Sequence, residues 1–281
     1  MEPLTPTYTA SLFPPLHAEL MQLLRALRVD DWSRETVAPA WRVRDIAAHL
    51  LDVDLRKLSG ARDGHRMASP RQLRSFDDIV DLINDQNGTG ASYAARLSPR
   101  IITDLLEVTG PWVSDFVAAL PPHAEAGIGV AWAGESRSEN WMDIGREYTE
   151  RWHHQMQIRD AVGAAGLLHR RWLYPLFDLS VRAFPRAFHG VQCDMGTAIV
   201  FGVNADSDYV WSLVRDATGW RVVRGAAAPA TTEVWADVET AWKVLYNALP
   251  PEVVRARVTI TGDGGLAERM LRARSVMVHS P

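Results

Sequence analysis

Between residues 16 and 166, apolar side chains recur every three to four positions, in segments punctuated by glycine, proline and serine. That period leaves one apolar stripe per segment, and an amphipathic helix has to bury its stripe against other helices. "LHAELMQLLRALRVDDW" (16–32) carries its leucines at this spacing. "VRDIAAHLLDVDLRKLSGARDG" (43–64) sets Ile46, Leu50 and Val53 on one face and ends at Gly60 and Gly64. "SFDDIVDLINDQNGTGASYAARL" (75–97) opens on Ser75 with Asp78 three residues on, a capping box, and Gly88 and Gly90 are expected to break it in two. "SPRIITDLLEVTGPWVSDFVAAL" (98–120) is capped by Ser98 with Pro99 in its first turn, and a kink or a fresh start is expected at Gly110-Pro111. "SRSENWMDIGREYTERWHHQMQIRDAVGAAG" (136–166) closes at Gly163 or Gly166. Long helices joined by loops predict an antiparallel bundle.

The pattern then changes. "TAIVFGV" (197–203), "DYVWSLVRD" (208–216) and "WRVVRG" (220–225) are rich in β-branched and aromatic residues. Turn residues Asn204, Asp206, Asp208 and Thr218-Gly219 separate them, so they read as an antiparallel meander. "TTEVWADVETAWKVLYNAL" (231–249) reads as a short strand and a helix, "ARVTITGD" (256–263) as a strand and turn, and "GGLAERMLRARSVMV" (264–278) as a helix with room for a last strand. Segment 170–188 is a helix that either half could own. The expected organisation is an all-α four-helix bundle over 1–168 and an α+β domain over 169–281.

Several function classes drop out. The net charge is −4, with no basic run and no zinc-finger spacing, which argues against nucleic acid. No stretch approaches the roughly 18 uninterrupted apolar residues of a membrane span. The amino terminus lacks a basic segment followed by an apolar core, so a cytoplasmic protein is expected. The single cysteine, Cys193, excludes an internal disulfide and fits a reducing compartment. No sustained heptads choose between monomer and homodimer.

One stretch carries chemistry. In "YTERWHHQMQIRD" (148–160), Glu150 and His154 stand one helical turn apart on one face; His153, at i+3, is the other histidine within reach, and Glu147 lies one turn earlier. An exposed pair worth a few tenths of a kcal/mol is the plainer reading. His49, however, falls beside the Ile46, Leu50 and Val53 stripe and is directed at least partly inward. A histidine on one bundle helix and a Glu-x-x-x-His pair on another is how bundle cores assemble metal sites. His49, Glu150 and His154 then offer three ligands and leave positions open, the pattern of a catalytic site. For two imidazoles and a carboxylate zinc comes first, with nickel, iron(II) and manganese behind it. Asp52 is a candidate to orient His49, and Asn84 and Asn87, a turn apart on the third helix, are candidates for the pocket mouth and for cofactor binding. His17, His65, His123, His169, His189 and His279 have no partner at ligand spacing and read as surface or loop residues.

The stretches "PAWRVRDIAAHLLDVD" (39–54) and "EYTERWHHQMQIRDAVG" (147–163) resemble the helix-two and helix-four motifs of the DinB-like, mycothiol-dependent maleylpyruvate isomerase family. "ETAWKVLYNAL" and "VTITGDGGLAERML" are similar to pieces of the sterol-carrier-like domain that follows the bundle there. The resemblance implies a DinB-like bundle, a sterol-carrier-like second domain, and a divalent ion on His49, Glu150 and His154. It further implies a low-molecular-weight thiol, mycothiol or similar, as cosubstrate and a small-molecule electrophile as substrate. The reaction implied is cis–trans isomerisation by thiolate addition, rotation and elimination, or S-transfer using the same activation. An arginine of the second domain is implied to reach the site; Arg215, Arg221 and Arg224 on strands and Arg255 and Arg257 nearby are the candidates, and of the leading pair, Arg221 and Arg224, at most one fits, because they point to opposite faces of one strand. Two departures stand out: Arg42 occupies the usual Ser/Thr cap before helix two, and the acidic residue after the histidine, Asp160, is farther away than usual. The competing reading is a non-catalytic protein that binds a small or hydrophobic molecule in the second domain.

Overall fold

A computed structural model describes residues 1–38, 41–65, 72–205 and 209–279. Pro39 and Ala40 of the helix-two motif, and Asp206 and Asp208 of the expected turn, lie outside the described residues. Helix α1 (Phe13–Ala26) buries Leu16, Leu20 and Leu24. Helix α2 (Val43–Lys57) starts after Arg42, whose backbone N–H donates to the Asp45 carboxylate at 3.0 Å, so the cap has moved to the third helical residue. A π-helical turn, Leu58–Arg62, ends it ahead of Gly64 at φ +74°. In helix α3 (Phe76–Ala94), the Asp78 N–H donates to Ser75 Oγ at 3.1 Å and the Ser75 N–H to Asp78 at 2.8 Å, the expected capping box.

Helix α3 runs unbroken through Gly88 and Gly90, against the expected break. An interior glycine costs a helix only about 1 kcal/mol. Here Gly90 is also needed, because a Cβ on it would lie 2.6 Å from the Asp52 carboxyl carbon on α2. Helix α4 (Pro99–Ala119) is likewise one element through Pro111. Gly110 makes room for His17, whose ring would come within 2.1 Å of a Cβ there. His17 is therefore a half-buried spacer between α1 and α4 rather than a surface residue. Helix α5 (Asn140–Val162) ends on Gly163 at φ +69°, a left-handed cap. Helices α6 (Arg170–Ser180) and α7 (Phe184–Ala187) lead into the sheet.

The sheet comprises β1 (Glu2–Pro3), β2 (Ala198–Val203), β3 (Val210–Asp216), β4 (Gly219–Arg224), β5 (Thr232–Ala236) and β6 (Thr259–Gly262), in the order β1-β4-β3-β2-β5-β6. Strands β2, β3 and β4 form the expected antiparallel meander, and β5 runs parallel to β2 with Phe201 opposite Val234. Helices α8 (Val238–Leu245) and α9 (Pro251–Arg257) connect β5 to β6, and α10 (Gly264–Met270) follows. Three details differ from the sequence reading. Residues 256 and 257 belong to α9, α10 stops at Met270 with no later strand among the described residues, and the chain start adds an edge strand.

One apolar core holds α1, α2, α4 and α5 together through Leu20, Ile46, Leu50, Ile102, Leu106 and Ile158. A second is continuous from the bundle into the sheet. Its seam is Trp152 of α5 edge-on to Trp242 of α8, with ring centroids 5.8 Å apart and both side chains fully buried. Aromatic pairs of this geometry add about 0.5–1.5 kcal/mol beyond the buried area. The bundle thus presents the second face of α5 to the sheet domain, which accounts for its nearly complete burial.

Candidate metal centre

The amphipathic stripe of α2 carries His49 to within reach of α5. One ligand atom each from His49, Glu150 and His154 lies within 4.8 Å of the others. The rings of His49 and His154 meet edge to face with centroids 4.7 Å apart. Trp41 packs against both, at 4.7 Å from His49 and 6.0 Å from His154. Around a zinc ion, ligands at about 2.0–2.2 Å bring donor atoms somewhat closer than this, a contraction that side-chain rotation supplies.

The polar bookkeeping of the three side chains favours a cation. His154 gives its Nδ1–H to Gln157 Oε1 at 2.9 Å, so Nε2 faces Glu150 Oε2 at 3.5 Å. That carboxylate oxygen and the imidazole nitrogen face one another as two potential donors to a shared cation. His49 Nδ1 is buried and has no hydrogen-bond partner. Burial, then the nearby His154, pushes the His49 pKa well below its ordinary value, so its imidazole is neutral at physiological pH. Burial acts on Glu150 in the opposite sense, but the neighbouring histidines and Arg146 outweigh it and hold the carboxyl at about 2. The set is two imidazoles and one ionised carboxylate, which fits a divalent ion of the zinc, iron or nickel class.

His153 is not part of this triad. Its Nδ1–H donates to the Thr149 carbonyl at 3.0 Å and its ring stacks on Tyr246, with centroids 4.6 Å apart. Tyr246 is fixed in turn by Ser180, at 2.7 Å between hydroxyls. Burial, then His154, brings the His153 pKa down to about 3. Glu147, the other acidic candidate, is taken up elsewhere. It lies among Arg151 at 3.1 Å, Arg146 at 3.3 Å and Lys57 at 3.7 Å. Asp143 binds Lys57 at 2.9 Å and Arg146 at 2.8 Å. Asp54, fully buried, accepts from Arg151 and from Thr109, each at 2.6 Å. Three carboxylates and three cations thus balance in a buried layer that joins α2, α4 and α5 behind the triad. In sequence these residues look like helix-surface charges; the i, i+4 spacing of Glu147 and Arg151 and the i, i+3 spacing of Asp143 and Arg146 are the traces of the layer.

The triad opens into a cavity of about 680 Å³. Asn84 and Asn87 line it from α3, and Asn87 Oδ1 accepts from Arg56 at 3.0 Å. Tyr246, Asn247, Val276, Met277 and Val278 of the sheet domain close the far side. Asp52 also departs from its expected role: it pairs with Arg56 at 2.8 Å, not with His49. The expected second-domain arginine is not brought to the site. Arg221 is exposed on Asp216 at 2.6 Å, and Arg224 is drawn to buried Asp178 at 2.9 Å and over the Tyr174 ring. Among the described residues the cavity's cations are Arg56, Lys57 and Arg146, all from the bundle. Trp41 belongs to the helix-two motif but had no role assigned from sequence, and Gln157, Tyr246 and the 276–278 segment were not singled out. Only Gln157, one turn beyond His154, had a spacing that marks it.

Residues 13–159 match the family model described as the mycothiol maleylpyruvate isomerase N-terminal domain. A crystal structure of the mycothiol-dependent maleylpyruvate isomerase is similar over 90% of this chain and 91% of that one, at 12% identity and a TM-score of 0.54. A histidine-to-alanine mutant of that enzyme is similar over the same shares, at 11% identity and a TM-score of 0.52. At these identities the likeness is one of fold: a DinB-like helical bundle followed by an α+β, sterol-carrier-like domain. No curated protein matches the chain.

Proposed function

The chain belongs to the mycothiol maleylpyruvate isomerase family through its amino-terminal domain, and from that premise we propose a metal- and thiol-dependent enzyme of the maleylpyruvate isomerase type. The activity is cis–trans isomerisation of a small electrophile, or transfer of the thiol to it, with mycothiol or a similar low-molecular-weight thiol as cosubstrate. His49, Glu150 and His154 hold the divalent ion, zinc by first preference. The observation that carries this reading is the convergence of those three donors, one with an unpartnered buried nitrogen, on the floor of a cavity sized for a small molecule.

A divalent ion there supplies Lewis acidity and lowers the pKa of a thiol brought against it. The chain's own residues do the rest. Gln157 accepts from His154 Nδ1, which leaves Nε2 turned toward Glu150. Trp41 screens the two imidazoles from water. Asn84 and Asn87, with Arg56 tethered to Asn87, offer amide and guanidinium donors for the polar part of the thiol or a substrate carboxylate. The sheet domain closes the cavity with Tyr246 and the apolar 276–278 segment. On this reading the division between the two parts falls at residues 168–169, and the free Cys193 fits a reducing cytoplasm.

The test is turnover. Maleylpyruvate and related cis-alkenes are followed by absorbance with mycothiol, without it, and after chelation and restoration of metal. Thiol- and metal-dependent conversion is expected; conversion that ignores both, or none with any substrate and thiol in the panel, contradicts the proposal.

A further inference from the structure

A second cavity, of about 690 Å³, lies on the other side of the carboxy-terminal segment, and Val276 and Val278 line both. Its walls carry Arg186, Arg269, Arg272, Arg274, His189 and His279, and no carboxylate lines it among the described residues. That is a local excess of positive charge in a chain whose net charge is −4.

None of these four arginines has an ion pair among the described residues. Arg274 donates Nε to Asn247 Oδ1 at 3.0 Å and Nη1 to the carbonyls of Leu271 and Ala273 at 2.7 and 2.9 Å. Arg269 donates Nε to the Ala187 carbonyl at 2.8 Å. Arg186 lies 3.7 Å over the Phe76 ring and has no ion pair among the described residues. Glu268, one turn before Arg272, is occupied by Arg255 at 2.6 and 3.1 Å. The His279 end meets acid, with Asp81 at 3.1 Å and Asp77 at 3.5 Å; at longer range Asp77 also acts on Arg186 and Glu268 on Arg272. Burial works against the charge of Arg274 with no carboxylate offsetting it, and against that of Arg186 with Asp77 offsetting it only in part; a partly buried cation without a full counter-charge is costly. A separate sign comes from Trp132, which lines the same cavity: its indole N–H is buried and has no acceptor. An orphan donor beside guanidiniums that have no ion pair calls for an acceptor-rich anion.

We propose that this cavity binds the oxyanion groups, phosphate or carboxylate, of a small organic anion, with Arg186, Arg272 and Arg274 as its charge partners and Trp132 as a neutral donor. The volume exceeds what one inorganic ion fills and lies within the range of small-molecule sites. Phe76, Pro185 and Val276 provide an apolar wall for the organic body. The site is separate from the metal centre and does not depend on the activity proposed for it.

The experiment is calorimetric titration of the full chain at low salt with inorganic phosphate and, separately, with succinate, which distinguishes the two kinds of oxyanion. Saturable binding of at least one is expected, weakened about tenfold or more by Arg186→Met and by Arg274→Met, since charge-assisted bonds to guanidinium carry such sites. Arg272→Gln, at an exposed position, gives the same direction if an interior substitution fails to fold. Binding is expected to persist in metal-stripped protein and in His154→Ala. Absence of saturable binding by both probes, binding indifferent to the arginine substitutions, or binding lost with the metal would overturn the proposal.

Discussion

His49 and His154 meet edge to face, ring centroids 4.7 Å apart, although they come from different helices separated by more than half of the bundle sequence. Helix α2 presents the first ring because its apolar stripe is buried, and α5 presents the second one turn beyond Glu150. The site's chemistry follows from that meeting, and its strength depends on what surrounds it.

Gln157 accepts the Nδ1–H of His154 and so decides which nitrogen faces the cavity. Gln157→Leu keeps the volume and removes the acceptor. Metal affinity is expected to fall about 10–100-fold, the usual cost of losing a partner behind a metal-bound histidine. Competition against a chromophoric chelator measures it, with the helical circular dichroism signal unchanged.

The buried charge layer behind the triad is expected to be costly to break on one side. Asp54→Asn leaves the Arg151 guanidinium without its closest carboxylate. Removing one partner of a buried pair costs about 3–5 kcal/mol. Urea denaturation should show a loss of that order. Asp216→Asn, which frees the exposed Arg221, should barely move the midpoint.

Acid should weaken the same layer. Burial raises the Asp143 pKa, but Arg146 and Lys57 outweigh it and hold the carboxyl at about 2, below its ordinary 3.8. The folded state therefore binds fewer protons than the unfolded state between those values. The contribution, on the order of 2 kcal/mol, is present above pH 4 and is lost as pH falls toward 2. Stability curves of the wild type and Asp143→Asn should converge across that window; curves that stay parallel would exclude Asp143 as the source.

Much of the bundle was legible because its cues are local. Ser75 with Asp78, Ser98 with Pro99, and the Ile46–Leu50 stripe each act within a turn or two of chain. The inward tilt of His49 and the one-turn spacing of Glu150 and His154 belong to the same class. What could not be read is tertiary. That Gly90 and Gly110 are clearances for Asp52 and His17, rather than breaks, depends on which helices touch. That Lys57, Asp143 and Arg151 are interior depends on α5 being covered on both faces. Arg224 is one of the arginine candidates for the metal site, yet Asp178, on a helix that strand patterning says nothing about, draws it away. The two-residue edge strand at Glu2–Pro3 has no periodicity to detect.

Gly110→Ala tests the clearance at the α1–α4 contact. A Cβ there meets the His17 ring, and overpacking of this kind costs about 1–3 kcal/mol. Gly88→Ala on the neighbouring helix meets nothing and should be neutral or mildly stabilising. A thermal-melt comparison separates the two.

Elemental analysis of the purified protein bears most directly on the central claim. The account predicts about one divalent ion per chain, absent from His49→Ala and from His154→Ala while their circular dichroism stays helical. Full metal content in both variants, or a wild-type chain that binds no divalent ion when one is supplied, would contradict it.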